Sequence, residues 1–487
     1  MLLWVSCISV AADEAGICRM VRFNKLLSAV MSIRFPGWAN MTGCGKKCGT
    51  RGALVFLIHY FPDDKRELRR LPRACARRLD AVFHLVDALA KLDRSLDAEL
   101  VRIQQDFAEE DLNGYTILQA LSPENKKALV EKCAPVALLN QAMGALCGMA
   151  VGDALGHPFE YITVTDTPGT SYFDLATLEF HGEFNKFGCK RGQWTDDASM
   201  GLCMADSFIM RQAFDGSDLR RRFWCWWFRG YNNAFRKDLE RESRKSIGLG
   251  GNTQKSLEPL VDCSDAGVPP EYESASEDAG NGSLMRLAAV PIFFHTLPLE
   301  ELYSLARKSS LTTHPGFVAA EACAFLAHLV RQAMRLPPGS VTAKEFLDSA
   351  SEEFYATSGL ATQSGPGFDE MQWLVSSKPT RDTERCWNWK NATLDIAGTL
   401  AARGWSYNGY PVSADYFGSY SLDGLAGALW AMYHTRSFDE ALSRAVNLNG
   451  DADSFGSITG QIAGAFYGYS AINRQFVEWL CRSGSSM

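Results

Sequence analysis

Glycine recurs at every fourth position in two distant stretches: Gly144, Gly148, Gly152 and Gly156 in GALCGMAVGDALG, and Gly456, Gly460, Gly464 and Gly468 in FGSITGQIAGAFYG. Four-residue spacing returns to one face of an α-helix, so each stretch predicts a helix with one side bare of side chains. A glycine in a helix interior costs about 1 kcal/mol relative to alanine. Such stripes persist where a neighbouring helix comes close enough to compensate. In a bilayer the pattern would suggest dimerising spans, but these segments are short and carry Asp153 and Gln461. No run of about twenty apolar residues is present, and no membrane span is predicted. The stripes therefore predict buried helices of a compact bundle.

The surrounding sequence agrees with an all-α domain. Ser437-Phe438-Asp439-Glu440 has the form of a capping box, followed by an apolar face of Phe438, Ala441, Leu442, Ala445 and Val446. Met200, Cys203, Met204, Ser207 and Phe208 mark a helix after Thr195, and 315–331, 394–402 and 422–432 also read as helices. No strand-like alternation persists, and the acidic, proline-bearing stretch 261–279 reads as a loop. Residues 1–135 differ in texture and read as an N-terminal extension of unknown role. Ala53–Phe61 suits a strand or short helix, and Arg78–Phe107 a helix with Val82, Leu85, Val86, Leu89 and Leu92 at helical spacing. The main domain is placed at 136–487.

A net charge of −7, from 49 basic and 56 acidic residues, gives no support for a nucleic-acid partner. Of fourteen cysteines, only Cys44 and Cys48 are suggestively spaced, and no second pair or histidines complete a zinc site. Cys147, Cys203 and Cys323 sit in apolar helical patterns as small hydrophobes. Met1–Ala12 is faintly signal-like but has a short apolar run and no basic start. A reduced, cytoplasmic protein is expected, and the sequons at Asn40, Asn281 and Asn391 would matter only in a secreted one.

Two acidic motifs each open a helix: Gln193-Trp194-Thr195-Asp196-Asp197 and Asn449-Gly450-Asp451-Ala452-Asp453-Ser454. Singly, each reads as a helix cap, with Thr195 or Asp451 capping and the other acids favouring the dipole. Both emerge from segments rich in Gly, Ala, Met and Ile. If they converge, four carboxylates share one partly desolvated space, where like charges protonate unless cations intervene. Oxygen-only ligands point to Mg2+, Mn2+ or Ca2+. An EF-hand is excluded, because Phe455 and Ile462 occupy its fifth and twelfth ligand positions.

Five blocks in order, GMAVGDALGHPFE (149–160), GQWTDDASM (192–200), GNGSLMRLAAV (280–290), LTTHPG (311–316) and VNLNGDADSFGSITGQIAGAFYG (446–468), resemble the signatures of the ADP-ribosylglycohydrolase family, which includes the dinitrogenase reductase-activating glycohydrolase. The resemblance covers roughly residues 138–480. It implies an all-α fold with two Mg2+ or Mn2+ ions in a central cleft. Carried over by motif, Thr195, Asp196, Asp197, Asp451, Asp453 and Ser454 would be metal ligands. Glu160 matches an acidic residue that in some members closes over the metals from a mobile loop. It follows Gly156 and Pro158, a helix end and a breaker, which suits a loop. Asp153 is expected to be a structural hydrogen-bonding residue.

The resemblance further implies an ADP-ribose ligand, and the glycine-rich stretches suit its diphosphate. Gly248, Gly250, Gly251, Gly280, Asn281, Gly282 and Ser283 are the expected binding residues, with His314 nearby. The sequence departs from the family where Ala198 and Ser454 replace a common threonine; Ser454 keeps the hydroxyl. The implied activity is hydrolysis of the glycosidic bond between ADP-ribose and a modified side chain or small molecule, with Asp196, Asp197 or Glu160 handling the proton. A monomer acting on an ADP-ribosylated protein or small ADP-ribosyl compound is expected. Two alternatives are an inactive, crystallin-like or ADP-ribose-binding relative, against which the intact acid set argues, and a dimetal hydrolase of another substrate.

Overall fold

The computed structural model describes residues 123–484 except 167–168, 236–237, 239, 244, 263–266 and 276–277. The readings for 44–48, 53–61, 78–107, the first twelve residues and Asn40 lie outside the described residues. Among the described residues, fifteen α-helices run in chain order: α1 Pro123–Cys133, α2 Ala137–Gly156, α3 Asp196–Arg211, α4 Gly216–Arg229, α5 Gly251–Leu257, α6 Ala289–Phe293, α7 Leu299–Leu311, α8 Phe317–Arg335, α9 Ala343–Thr357, α10 Phe368–Ser376, α11 Ile396–Arg403, α12 Ser421–Tyr433, α13 Phe438–Val446, α14 Ala452–Tyr467 and α15 Arg474–Gly484. The proposed domain boundary near residue 135 falls in the turn between α1 and α2.

The glycine stripes meet each other. Helices α2 and α14 pack antiparallel, with Gly144 against Gly464, Gly148 against Gly460, Gly152 against Gly456, and Gly156 against Ala452. A Cβ added at Gly148 would stand 2.1 Å from the Gly460 carbonyl oxygen, and one at Gly460 2.0 Å from that of Gly148. The two backbones are thus in direct contact along three turns. Gly468 closes the seam: it ends α14 with φ +85°, its own carbonyl carbon would stand 2.8 Å from a Cβ at Gly144, and it packs against Asn140. Asn140 Oδ1 accepts from the Ser470 amide (3.0 Å) and hydroxyl (2.9 Å) at that end.

The other helices wrap this pair. Helix α8 is apolar and long enough to cross a membrane by composition, but 83% of its apolar window is buried inside the bundle. Its polar residues are paired: Glu321 receives Arg307 from α7 at 2.5 Å, and His328 Nδ1 lies 2.8 Å from the Tyr303 hydroxyl. Under α4, buried Asp218 receives Arg222 at 2.7 Å and Arg211 at 2.8 Å. Cys147, Cys203 and Cys323 are buried and free, as small hydrophobes should be.

Two short antiparallel hairpins, Tyr172–Asp174 (β1) with Glu179–His181 (β2) and Ser406–Tyr407 (β3) with Tyr410–Pro411 (β4), are the strands found among the described residues. Strands this short carry no alternation for a sequence pattern to reveal. The capping box at Ser437 is half formed. Ser437 accepts from the Glu440 amide, but the Glu440 carboxylate reaches back to Arg436 N rather than to Ser437. A complete box stands instead at Thr342 and Glu345.

Gly148→Ala and Gly460→Ala should each destabilise the protein by ~3 kcal/mol or more, the upper end of overpacking costs, because the blocking atoms are backbone. Chemical denaturation of each variant checks this, with the open-space substitution Gly169→Ala as a surface control.

Candidate active site

The C-terminal half of α2 delivers Asp153, fully buried, to the start of α3. Its carboxylate accepts from Thr195 N (2.9 Å), Thr195 Oγ1 (2.9 Å) and Ala198 N (2.9 Å). Asp153 therefore caps α3 from another helix, as the structural role expected of it requires. Thr195, in the N-cap position, makes no side-chain cap. Its hydroxyl hydrogen goes to Asp153, leaving oxygen lone pairs 3.4 Å from Asp453 Oδ2. Ala198 is buried and contributes its amide. The capping interpretation of the first motif fails: the cap comes from elsewhere, and Asp196 and Asp197 are left to the cleft.

The second motif behaves alike. Asp451 occupies the N-cap position of α14 without capping it. Asn449 and Gly450 both have φ +62°, and Gly450 packs on the Phe417 carbonyl, where a Cβ would stand 2.5 Å from the oxygen. This left-handed pair turns the chain so that Asp451 faces inward. Asn281 donates to Asp451 Oδ2 at 2.7 Å and to the Gly418 carbonyl at 3.0 Å. Its side chain is thus committed to holding a carboxylate, and its sequon is buried. Asp453 Oδ1 accepts from Ser454 N at 2.9 Å.

The two motifs converge. Oxygens of Asp153, Asp197 and Asp453 lie within 4.8 Å of one another, as do those of Glu160, Asp451 and Asp453, so Asp453 belongs to both groups. Glu160 is 5% exposed, in the turn after α2. Glu160 Oε2 and Asp197 Oδ1 are buried with no hydrogen-bond partner. Burial alone raises Asp453, against hydrogen bonds from Ser454, Asp451 and Glu160 that lower it; burial first, then the neighbouring carboxylates, pushes Asp196, Asp197 and Asp451 above the usual carboxylate range. The same causes raise Asp153 to about 7 and Glu160 to about 11. Crowded acids with orphaned oxygens, and neither cysteine nor histidine in either group, form a donor set that fits hard divalent cations.

These carboxylates line a cavity of about 980 Å3. Gly248, Gly250, Gly251, Gly280, Asn281, Gly282, His314 and Ser454 join Glu160, Asp196, Asp197, Asp451 and Asp453 in its wall. Thr195 lies beneath the wall, and Ser283 is buried outside it, receiving the Ser310 hydroxyl at 2.9 Å. Gly248 (φ +85°) abuts the carboxylates, since a Cβ there would stand 2.0 Å from Asp196 Oδ1. His314 packs under Gly282, whose Cβ would lie 2.8 Å from its Cε1. Arg286, which only donates, gives a hydrogen to Thr313 Oγ1 at 2.6 Å, and Thr313 Oγ1 lies 2.8 Å from His314 Nδ1. Burial and the Arg286 charge lower the imidazole to about 3, so it is neutral.

Sequence reasoning missed Phe317, Phe368, Arg403, Tyr407, Tyr416 and Tyr420, all in the wall. For Tyr407, Tyr416 and Tyr420 the signal was faint, an unusual density of aromatic residues and glycine between Trp405 and Tyr420. Arg403 is held by Asp423 through bonds of 2.6 and 2.8 Å and lies 3.8 Å over the Tyr407 ring.

The family model described as ADP-ribosylglycohydrolase matches residues 134–484. The chain belongs to the ADP-ribosylglycohydrolase family. As a member, it is 26% identical over 347 residues to the ADP-ribosylarginine hydrolase Tri1 of Serratia proteamaculans, a match covering 70% of this chain and 75% of that protein. It is 28% identical over 364 residues to Tri1 of Pseudomonas putida, covering 71% and 75%. It is also 24% identical over 349 residues to the ADP-ribosylhydrolase ARH3 of Gallus gallus, covering 67% and 84%. The all-α fold expected of an ADP-ribosylglycohydrolase is the fold observed.

The raised carboxylates imply a pH dependence. Folded-state values above the unfolded ones mean the native state binds more protons, so their contribution to stability is full below the unfolded values and is lost as pH rises. For Asp153 the window runs from 3.8 to about 7, and for Glu160 from 4.5 to about 11. In the presence of a chelator, stability should therefore fall between about pH 5 and 8, and Asp197→Asn should flatten that slope. Denaturant titrations across that range test it; a slope identical in protein and variant refutes it.

Proposed function

We propose that this protein hydrolyses the bond between C1″ of ADP-ribose and a protein side chain, with arginine as the first candidate linkage. The observation that carries the reading is the meeting of Glu160, Asp196, Asp197, Asp451 and Asp453 at one end of a glycine-walled cavity. The relatives named ADP-ribosylarginine hydrolase favour the arginine linkage. The sharing of Asp453 by both carboxylate groups supports two Mg2+ or Mn2+ positions, held by Thr195, Asp196, Asp197 and Ser454 with Glu160, Asp451 and Asp453. Two such cations supply Lewis acidity and positive charge beside the ribose.

The chain's own groups do the rest. With cation charge offsetting the crowding that raises it, Glu160 would accept a proton of the attacking water at its unpartnered Oε2, and Asp196 and Asp197 are the neighbouring candidates. Water adds to C1″ as the bond to the side-chain nitrogen breaks, and the leaving guanidine takes up a proton. In the tautomer that carries its proton on Nε2, the neutral His314 offers a donor beside the Gly280–Gly282 backbone, suited to an anionic oxygen of the diphosphate. Asn281 fixes Asp451, so its contribution is to hold a ligand in place rather than to touch the sugar.

Arginine- and serine-linked ADP-ribosyl peptides, incubated with and without Mg2+ or Mn2+, test the reading. Release of ADP-ribose should need the cation and fall by about 100-fold or more in Asp451→Asn and Asp196→Ala. Unchanged turnover in both variants overturns it.

A further inference from the structure

A second cavity, of about 630 Å3, opens beside the first. The two share Gly248, Gly250 and Tyr416. That junction lies at the carboxylates, because Gly248 abuts Asp196 and Tyr161, in the wall of the second cavity alone, directly follows Glu160. Phe317, Phe368 and Tyr420 line only the first cavity. A ligand whose reacting carbon sits among the carboxylates therefore has one body in the first cavity and one exit into the second.

We propose that the second cavity is the leaving-group site, shaped for the guanidino side chain of a modified arginine. This rests on the glycohydrolase reading above. Tyr161 and Tyr416 stack at its entrance, with ring centroids 5.1 Å apart and planes 4° from parallel. The ammonium of exposed Lys186 stands 3.6 Å from the Tyr161 centroid, so this ring face already holds a cation. A guanidinium is planar and weakly hydrated and stacks on aromatic faces more readily than an ammonium, so it displaces Lys186. Glu258 is the one acid among the described lining residues, and Trp227 and Ile247 offer apolar cover for the aliphatic stem.

The backbone at the entrance supports a functional placement. Tyr161 has φ +67°, a left-handed conformation that a bulky residue rarely adopts. It is held there by Tyr161 N donating to the Gly450 carbonyl (2.9 Å) and Gly450 N donating to that of Ile162 (2.8 Å). The strained turn places Glu160 at the carboxylate centre and Tyr161 in the wall of the second cavity, with the two side chains hydrogen-bonded where the sites join.

Two substitutions at exposed positions test this in the full chain. With an ADP-ribosylarginine peptide, Glu258→Lys should raise KM about tenfold, within the range of cation–π and charge effects, while calorimetric affinity for free ADP-ribose stays within about twofold. Lys186→Ala should lower KM for the same peptide severalfold. Unchanged KM in both variants overturns the proposal, as does a parallel loss of ADP-ribose affinity in Glu258→Lys. Should the protein release ADP-ribose from serine-linked but not arginine-linked peptides, the hydrolase reading stands and the guanidino site falls. Release from neither refutes the hydrolase reading, and this site with it.

Discussion

Backbone-to-backbone contact between α2 and α14 sets the position of everything functional in this protein. The two helices run antiparallel, so the C-terminal end of α2 meets the N-terminal end of α14. A Cβ at Gly156 would lie 2.5 Å from the Asp453 Cα. Asp153 and Glu160, from the end of α2 and the turn beyond it, thereby face Asp451 and Asp453 across a gap that no side chain fills. Larger residues along the seam would push the helices apart and separate the acids. The penalty of about 1 kcal/mol per helical glycine is the cost of bringing charged groups from distant parts of the chain to ligand distance.

That closeness creates an electrostatic conflict the protein does not resolve alone. Asp153 has its lone pairs occupied by Thr195 and Ala198, and Asp451 has Asn281, but Glu160 and Asp197 keep oxygens with no partner. Desolvation and mutual repulsion raise all of them. A structural cluster would be expected to satisfy those atoms. Leaving them bare is the pattern of a site that trades stability for the capacity to hold cations.

Much of this was legible in the chain. The glycine period implied closely approached helices, and the paired acids at two helix starts implied a shared space. What could not be read is where one part of the chain does a job for another. Asp153 caps α3 from α2, and Asp166 similarly caps α11 by accepting from Ile396 N and Ala397 N. Local capping rules look a few residues away and miss both. Asn281, in a glycine-rich stretch, reads as a phosphate-loop residue, yet its amide grips Asp451, a partner 170 positions on. Ser283 follows the same motif and turns into the core. Tyr161 and Tyr416 carry no motif, and their stacking depends on a left-handed turn that no side-chain preference announces.

The repeat that makes the seam also leaves it ambiguous. Sliding α14 along α2 by four residues would again set glycine against glycine over most of the contact, yet would carry Asp453 about 6 Å along the axis and dissolve both carboxylate groups. The contact surface alone is therefore a ruler with identical marks, and alignment must be read at its ends. At one end Asn140 latches Ser470 beyond the last glycine. At the other, Gly450 is stitched to Tyr161 and Ile162. These unobtrusive terminal fasteners select the single alignment in which the acids meet.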